Sequence, residues 1–138
     1  MKEKTINILS KDIDLIYCQA TENAFEKISP SDISIFFPRE EKDEKGNTIV
    51  LPATATIGDY VSLGFAAIVA ASTRKGEKYP PVDGDELMFD MSPAERDILI
   101  AAIIELKNAW YQIPNSVEEM LKKEAEAQPN KDKKPKNA

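Results

Sequence analysis

The sequence predicts a mainly α-helical fold: a compact domain of about four helices over residues 1–128, with a small charged β-hairpin between the first and second helices. Three observations predict it. Apolar residues recur at three- and four-residue spacings in several segments, which is the period of an amphipathic helix. A serine or threonine followed three residues later by an acid precedes three of these segments and signals a helix start. The length of 138 residues suits one domain.

The N-terminal segment predicts a short strand followed by a helix. Residues 4–9 alternate between polar and apolar side chains and favour the strand. Ser10 can cap a helix, and Asp12 and Asp14 would then lie in its first turn, where the helix dipole favours carboxylates. The following apolar stripe predicts that this first helix extends to the residues before Pro30. Its members are Ile13, Ile16, Ala20, Ala24 and Ile28.

Two β-prone runs, at residues 33–37 and 48–51, flank a strongly charged segment that ends in the turn signal Gly46–Asn47. They predict a solvent-facing hairpin over about residues 33–51. Phe36 and Phe37 are adjacent in the first run. Because adjacent side chains of an extended segment point to opposite faces, we expect one of the two to be exposed.

Residues 58–73 contain no charge after Asp59 and are apolar on almost every side of a helix. The apolar run has about 12 residues, whereas a membrane-spanning helix needs ~20. The segment is therefore predicted to be a helix buried in a protein core. Thr56 and Asp59 form a capping box that starts it at residue 57, and Gly76 is placed to end it. Gly64, inside it, is expected to allow close approach of a neighbouring helix.

The C-terminal half contains further helix signals. One helical turn is predicted at residues 84–89, capped by Asp83. Ser92 and Glu95 form a capping box around Pro93, which predicts a helix from residue 93 to about Tyr111. A further polar helix is predicted from residue 116, and residues 129–138 are predicted to be a disordered polar tail. The buried face of the helix that begins at residue 93 is expected to comprise Ile98 or Leu99, Ala102, Ile103, Leu106, Trp110 and Ile113.

Composition excludes several classes of function. The chain has 24 acidic and 18 basic residues, a net charge of -6. This argues against a duplex nucleic-acid binder, which needs a basic face, and against docking on an anionic membrane. A single cysteine, Cys18, cannot form an internal disulfide, so a reducing cytoplasm is expected.

No motif predicts a catalytic, metal or cofactor site. The chain has no histidine, which removes the commonest general base and neutral metal ligand. Cys18 therefore has no histidine partner and is expected to be a packed core thiol. Asp83, Asp85 and Glu86 do not match the register of a calcium loop, and the glycine spacing does not match a phosphate-binding loop. The chain is thus predicted not to be an enzyme.

The order of the segments YCQATENAFEKIS, SDISIFFP, TIGDYVSLGFAAIVAAS and PPVDGDELMFDMSPAERDILIAAIIEL supports a more specific hypothesis. Over residues 11–113 this order resembles the small tail assembly chaperones of long-tailed bacteriophages and prophages. The N-terminal strand and the charged hairpin are not general features of that family. The resemblance implies a mainly helical, non-enzymatic protein of the bacterial host cytoplasm. It would bind the tape-measure protein, keep its hydrophobic helices from aggregating, and help recruit tail-tube protein.

The resemblance offers no residue motif for the partner surface, so the candidates come from the chemistry of single side chains. They are Phe36, Phe37, Met88 and Tyr111. An alternative function is a small structural subunit of the phage, such as a tail completion or connector protein, which would form a homo-oligomeric ring. An enzyme and an acidic inhibitor of a basic partner rank behind these two hypotheses.

Overall fold

The computed structural model describes residues 1–113, so the helix predicted from residue 116 and the tail at 129–138 lie outside the described residues. About 50% of the structure is helical and 19% is strand, so the fold is α plus β, and the prediction of a mainly α fold is wrong at this level. The elements are β1 Lys2–Ile8, β2 Lys11–Tyr17, α1 Gln19–Ile28, a 3₁₀ helix Ile33–Phe36, β3 Arg39–Lys42, β4 Thr48–Leu51, α2 Ile57–Arg74, α3 Gly84–Phe89 and α4 Pro93–Tyr111.

The main difference from prediction lies at the N-terminus, where residues 11–17 form a strand and not the first half of a helix. β1 and β2 pair antiparallel, with Ile6 opposite Ile13. Asp12 and Asp14, which were expected in the first turn of a helix, instead accept hydrogen bonds across this hairpin. Asn7 donates to Asp12 at 2.9 Å, and Thr5 donates to Asp14 at 2.6 Å.

Ser10 is a turn residue of this hairpin and does not cap a helix. Leu9 and Ser10 both have positive φ, 54° and 61°, which fits the left-handed two-residue turns that suit twisted hairpins. The Leu9 amide donates to Glu95 Oε2 at 2.6 Å, which ties the turn to the start of α4. Backbone hydrogen bonds from Ser92 and Leu9 lower the pKa of Glu95 below its ordinary value.

Helix α2 is the centre of the core, as its composition predicts. It packs against β2, α1 and α4. Its start at Ile57, with the Thr56–Asp59 capping box, and its end before Gly76, at φ 77°, are confirmed. Among residues 1–113, no helix is long and apolar enough to cross a membrane. The core side chains of α2 include Leu63, Ala66, Ala67 and Ile68.

Helices α3 and α4 begin as predicted. Asp83 accepts from the Glu86 amide at 2.8 Å, and Ser92 accepts from the Glu95 amide at 3.2 Å. The buried face of α4 includes Leu99, Ala102, Ile103 and Leu106, whereas Ile98 is exposed. Trp110 is half-buried, and the prediction that Ile113 is buried is wrong, because Ile113 follows the helix and is exposed. Gly64 of α2 faces Leu99 so closely that a Cβ at Gly64 would lie 2.8 Å from the Leu99 Cγ. The expected close approach of two helices at Gly64 is therefore present.

The charged hairpin between the first two long helices exists, but its first strand lies at residues 39–42 and not at 33–37. Residues 33–36 form the 3₁₀ helix, because Asp32 caps it by accepting from the Ser34 amide at 2.9 Å. Among the described elements, β3 and β4 pair only with each other. They form a protruding arm, anchored by the amides of Thr54 and Ala55 on the Ile35 carbonyl.

Candidate functional site

The four side chains predicted to bind a partner lie in different environments. Phe36 is only 3% exposed and stacks edge-on against Phe25 and Tyr60, so it is a core residue. Phe37 is half-buried, whereas Tyr111 is 40% and Met88 is 73% exposed. Phe37 is thus accessible only in part, and the strand alternation that predicted an exposed ring is absent because residues 33–36 form a 3₁₀ helix. Phe37 and Tyr111 are in contact, and Met88 belongs to another surface.

Phe37 and Tyr111 belong to a cluster of aromatic and charged side chains at the C-terminal end of α4. Their rings meet edge-on with centroids 4.9 Å apart. Glu22, which is 7% exposed, accepts a hydrogen bond from the Tyr17 hydroxyl at 2.9 Å and a second from the Tyr111 hydroxyl. Lys107 is also buried, and its Nζ lies 4.7 Å from the centroid of the Phe37 ring.

The electrostatics of this cluster follow from its burial. Desolvation, with a contribution from Glu22, raises the pKa of Tyr111 to about 12 and also raises that of Tyr17. Desolvation lowers the pKa of Lys107. The hydrogen bonds that Glu22 accepts from Tyr17 and Tyr111 join α4 to α1 and β2. The hydroxyl of Tyr111 is thus engaged inside the protein, although this residue remains 40% exposed.

Met88 lies instead on an open groove, here called the α2–α3 groove, with a volume of about 550 Å³. That volume is typical of binding sites in proteins. The end of α1, the first turns of α2, helix α3 and the start of α4 form its walls. Its apolar lining comprises Ile28, Ile57, Val61, Phe65, Leu87, Met88, Met91 and Pro93.

Large apolar side chains are exposed along this groove. Ile57 is 58% exposed and Ile28 is 48% exposed, in addition to Met88. Exposed apolar side chains that lie together along a groove are a feature of interaction sites. Two of the lining residues are methionines, whose flexible side chains adapt to different partner shapes.

Arg96 is the only charged side chain among the described residues that line the α2–α3 groove. Its Nε is buried and has no hydrogen-bond partner among the described residues. Its guanidinium lies 3.7 Å from the exposed neighbour Asp97. A buried donor without a partner costs free energy, and this atom is shielded from a ligand. The Arg96 side chain as a whole is 40% exposed, so its positive charge can attract an acidic group in the groove.

Sequence reasoning identified Met88 but missed Ile57, Met91 and Arg96. Ile57 was assigned only as a helix start, although an apolar side chain at the first position of a capped helix is a weak sign of an exposed contact. For Arg96 the chain offers no signal, because its role depends on the packing of α4 against α2 and α3.

Cys18 is half-buried at the edge of a small cluster with Ile16, Ala70 and Ala71, and it caps α1. It is therefore a packed thiol at the margin of the core, close to its expected environment. Among residues 1–113, no group of three or more potential metal-binding side chains occurs. Comparisons of the chain with protein-family models, with curated proteins and with solved structures found no match.

Proposed function

We propose that this protein is a non-enzymatic binding module whose α2–α3 groove holds the apolar stripe of a helix from a partner protein. In this proposal it is a phage tail assembly chaperone of the bacterial cytoplasm. Its partner is a tape-measure-like protein, and tail-tube protein would be recruited to the complex. The observation that carries the proposal is the open groove. The side chains of Ile57, Met88 and Ile28 are exposed along it. The order of sequence elements over residues 11–113 supports the choice of partner.

The energetics of such a contact are sufficient for a chaperone. Burial of apolar surface contributes roughly 25 cal/mol per Å² before the costs of association. A standard interface hides ~800 Å² on each partner, so micromolar affinity is within reach. An apolar helix that docks in a groove presents side chains at three- and four-residue spacings. The same surface on a free tape-measure helix would promote aggregation, and docking would prevent it.

The test is co-expression of the chain with the tape-measure protein of the same phage or prophage, followed by pull-down and measurement of affinity. The substitution Met88→Asp places a carboxylate in the apolar groove and is expected to weaken binding at least about tenfold, or ~1.4 kcal/mol. Ile98→Asp is the matched control, because Ile98 is an exposed apolar residue that does not line this groove.

Two results would contradict the proposal. One is a tape-measure protein that stays equally soluble without this chain and forms no complex with it. The other is a complex that Met88→Asp and Ile98→Asp weaken to the same extent. The second result would move the binding surface elsewhere, and the exposed part of Tyr111 beside Phe37 would be the next candidate.

A second candidate function is a small structural subunit, such as a tail completion or connector protein. The arm formed by β3 and β4 favours it, because this hairpin contacts no other described element and leaves Val50 65% exposed. An isolated two-stranded hairpin is marginally stable in water and gains stability from a neighbour. The test is light scattering of the purified protein. A ring that Val50→Asp dissociates would support this function, and a monomer at all concentrations would contradict it.

A further inference from the structure

A second cavity, here called the α1–α2 groove, continues the first along helix α2. Its volume is about 530 Å³. It is bounded by α1 on one side and by the second half of α2 on the other. Ile28, at the end of α1, lines both grooves. The two grooves therefore adjoin at this side chain and form one surface.

The two grooves share a single face of α2. Gly58, Ser62 and Phe65 line the first, and Val69 and Thr73 line the second. These positions follow one another at three- and four-residue steps, so they lie in one row on the helix. None of the five is fully buried. From the first to the last, the row is about 22 Å long at a rise of about 1.5 Å per residue.

The small side chains of α1 explain why the second groove is open. Ala20 and Ala24 line it from α1, and Ala70 lines it from α2. Larger residues here would fill the space between the two helices. Ala20, Ala24 and Ile28 belong to the apolar stripe that predicted an amphipathic first helix. In the structure Ala20 and Ile28 are exposed and Ala24 is half-buried.

The charges along this surface all have one sign. Lys27 and Arg74 line the α1–α2 groove, and Arg96 lines the α2–α3 groove. No acidic residue among the described ones lines either groove. This is unexpected in a chain with 24 acidic and 18 basic residues. Arg74 follows Thr73 at the end of the row, Lys27 precedes Ile28, where the two grooves adjoin, and Arg96 lines the α2–α3 groove.

We infer that the two grooves together form one docking surface for an amphipathic helix of about 16 residues that carries carboxylates on either side of its apolar stripe. The inference rests on the proposed function and specifies the chemistry of the partner. The apolar stripe of the partner lies along the row from Gly58 to Thr73. Its carboxylates meet Arg96 in the α2–α3 groove, Lys27 beside the junction at Ile28, and Arg74 at the end of the row. The length follows from the row, and the charge follows from the three cations.

Charge complementarity at such a surface contributes mainly to specificity and to the rate of association. The partner helix is therefore selected against helices of equal apolarity that carry lysines. The discrimination should be strongest at low salt and should decrease as ions screen the pairs, since the Debye length is ~10 Å at 0.1 M. The apolar contribution to affinity should remain at high salt.

The experiment uses the full chain and two designed helical peptides of about 18 residues. Both peptides carry the same apolar stripe, flanked by glutamates in one and by lysines in the other. Binding is measured by fluorescence anisotropy at low and high salt. The glutamate peptide is expected to bind at least tenfold more tightly at low salt. A third, glutamate-flanked peptide of half the length is expected to bind at least tenfold more weakly than the long one.

The variant Lys27→Glu/Arg74→Glu reverses two charges of the surface and is expected to abolish the preference for the glutamate peptide. Its matched control is Lys42→Glu/Lys45→Glu, which makes the same change of net charge on the protruding arm and should keep the preference. Lys27, Arg74, Lys42 and Lys45 are all exposed. Circular dichroism establishes that each variant is folded before binding is measured.

The outcomes separate this inference from the proposed function. Equal binding of the glutamate and lysine peptides overturns the acidic partner and leaves helix binding intact. Equal binding of the short and long peptides overturns the continuous surface. Binding of none of the peptides overturns both. Binding of dodecanoate at one molecule per chain, with higher affinity than the long glutamate peptide, would show that the surface serves an amphiphile and would overturn the helical occupant.

Discussion

Substitution of Gly64 by alanine tests the packing that positions both grooves, because Gly64 is where α2 meets α4. A Cβ at this position would lie 2.8 Å from Leu99 Cγ, 2.9 Å from Cδ1 and 3.1 Å from Cδ2. Carbon atoms in contact prefer about 3.5–4.0 Å, so α2 or the fully buried Leu99 must shift by roughly half an ångström or more. Overpacking of this kind costs about 1–3 kcal/mol.

The helix propensity of alanine opposes this cost, since glycine is about 1 kcal/mol less favourable in a helix interior. The net loss of stability is therefore expected to be about 1 kcal/mol and at most ~2 kcal/mol. Gly58→Ala is the control in the same helix, because its nearest atom is Thr56 Oγ1 at 3.7 Å, an ordinary contact. Gly58→Ala is expected to leave stability unchanged or to raise it by up to ~1 kcal/mol.

The assay is urea unfolding followed by circular dichroism, which gives the free energy of unfolding for each variant. A double-mutant cycle with Leu99→Ala separates the two contributions. Leu99→Ala alone is expected to cost ~2–5 kcal/mol, and in that background Gly64→Ala should become neutral or stabilising. If Gly64→Ala stabilises the protein as much as Gly58→Ala does, the close contact with Leu99 does not exist and this reasoning is refuted.

Three further predictions concern a core residue, an exposed ion pair and a buried hydrogen bond. Ile68→Asp places an unpaired charge at a fully buried position and should abolish cooperative thermal unfolding measured by circular dichroism, so a stable variant would contradict the buried helix. The hydrogen bond from Lys75 lowers the pKa of Asp14 below 3.8, so this exposed pair adds a small stabilisation above that pH, which is lost as the pH falls through the lowered pKa. Asp14→Asn should therefore slightly reduce the free energy of unfolding at neutral pH but not in strong acid, and an equal reduction at every pH would contradict it. The pKa of Tyr111 is raised to about 12. Its contribution to stability is therefore complete below the ordinary pKa of 10.0 and is lost as the pH rises through the pKa of the folded state. Glu22→Gln should lower the pKa of Tyr111 in an ultraviolet titration, and an unchanged pKa would contradict the role of Glu22.

Helices α2, α3 and α4 could be predicted because their signals are local. A capping residue, an acid three positions later and, for α4, a proline at the first position act within one turn. These signals need no knowledge of the rest of the chain. The structure places the ends of all three helices at or within a residue of the predicted positions.

The second strand of the N-terminal hairpin was predicted as a helix, because residues 11–17 fit both the helical and the strand pattern of apolar residues. Ile13 and Ile16 fit the period of a helix, and Ile13, Leu15 and Tyr17 fit the period of a strand. Pairing with residues 2–8 decides between them, since it satisfies the backbone of both segments and buries all four side chains. That pairing is a tertiary interaction, which overrides local propensity.

The candidate site was accessible to prediction only in part. Met88 could be singled out by the chemistry of its side chain, but the residues that line the groove with it come from four different helices. The position of Arg96 beside Ile57 and Met91 depends on how α2, α3 and α4 pack together. Phe36 and Phe37 were selected as an extended pair, and the Asp32 cap instead folds this segment into a 3₁₀ helix that turns Phe36 into the core.

The central claim is that a partner helix occupies the α2–α3 groove. The most direct test is methyl NMR of the protein, with isotopic labels in the methyl groups of methionine and isoleucine. On addition of the long glutamate-flanked peptide, the methyl resonances of Met88, Met91 and Ile57 are expected to shift in a saturable manner, while that of Ile98 stays in place. Saturable binding of the peptide with no shift at Met88, Met91 or Ile57 would contradict the claim.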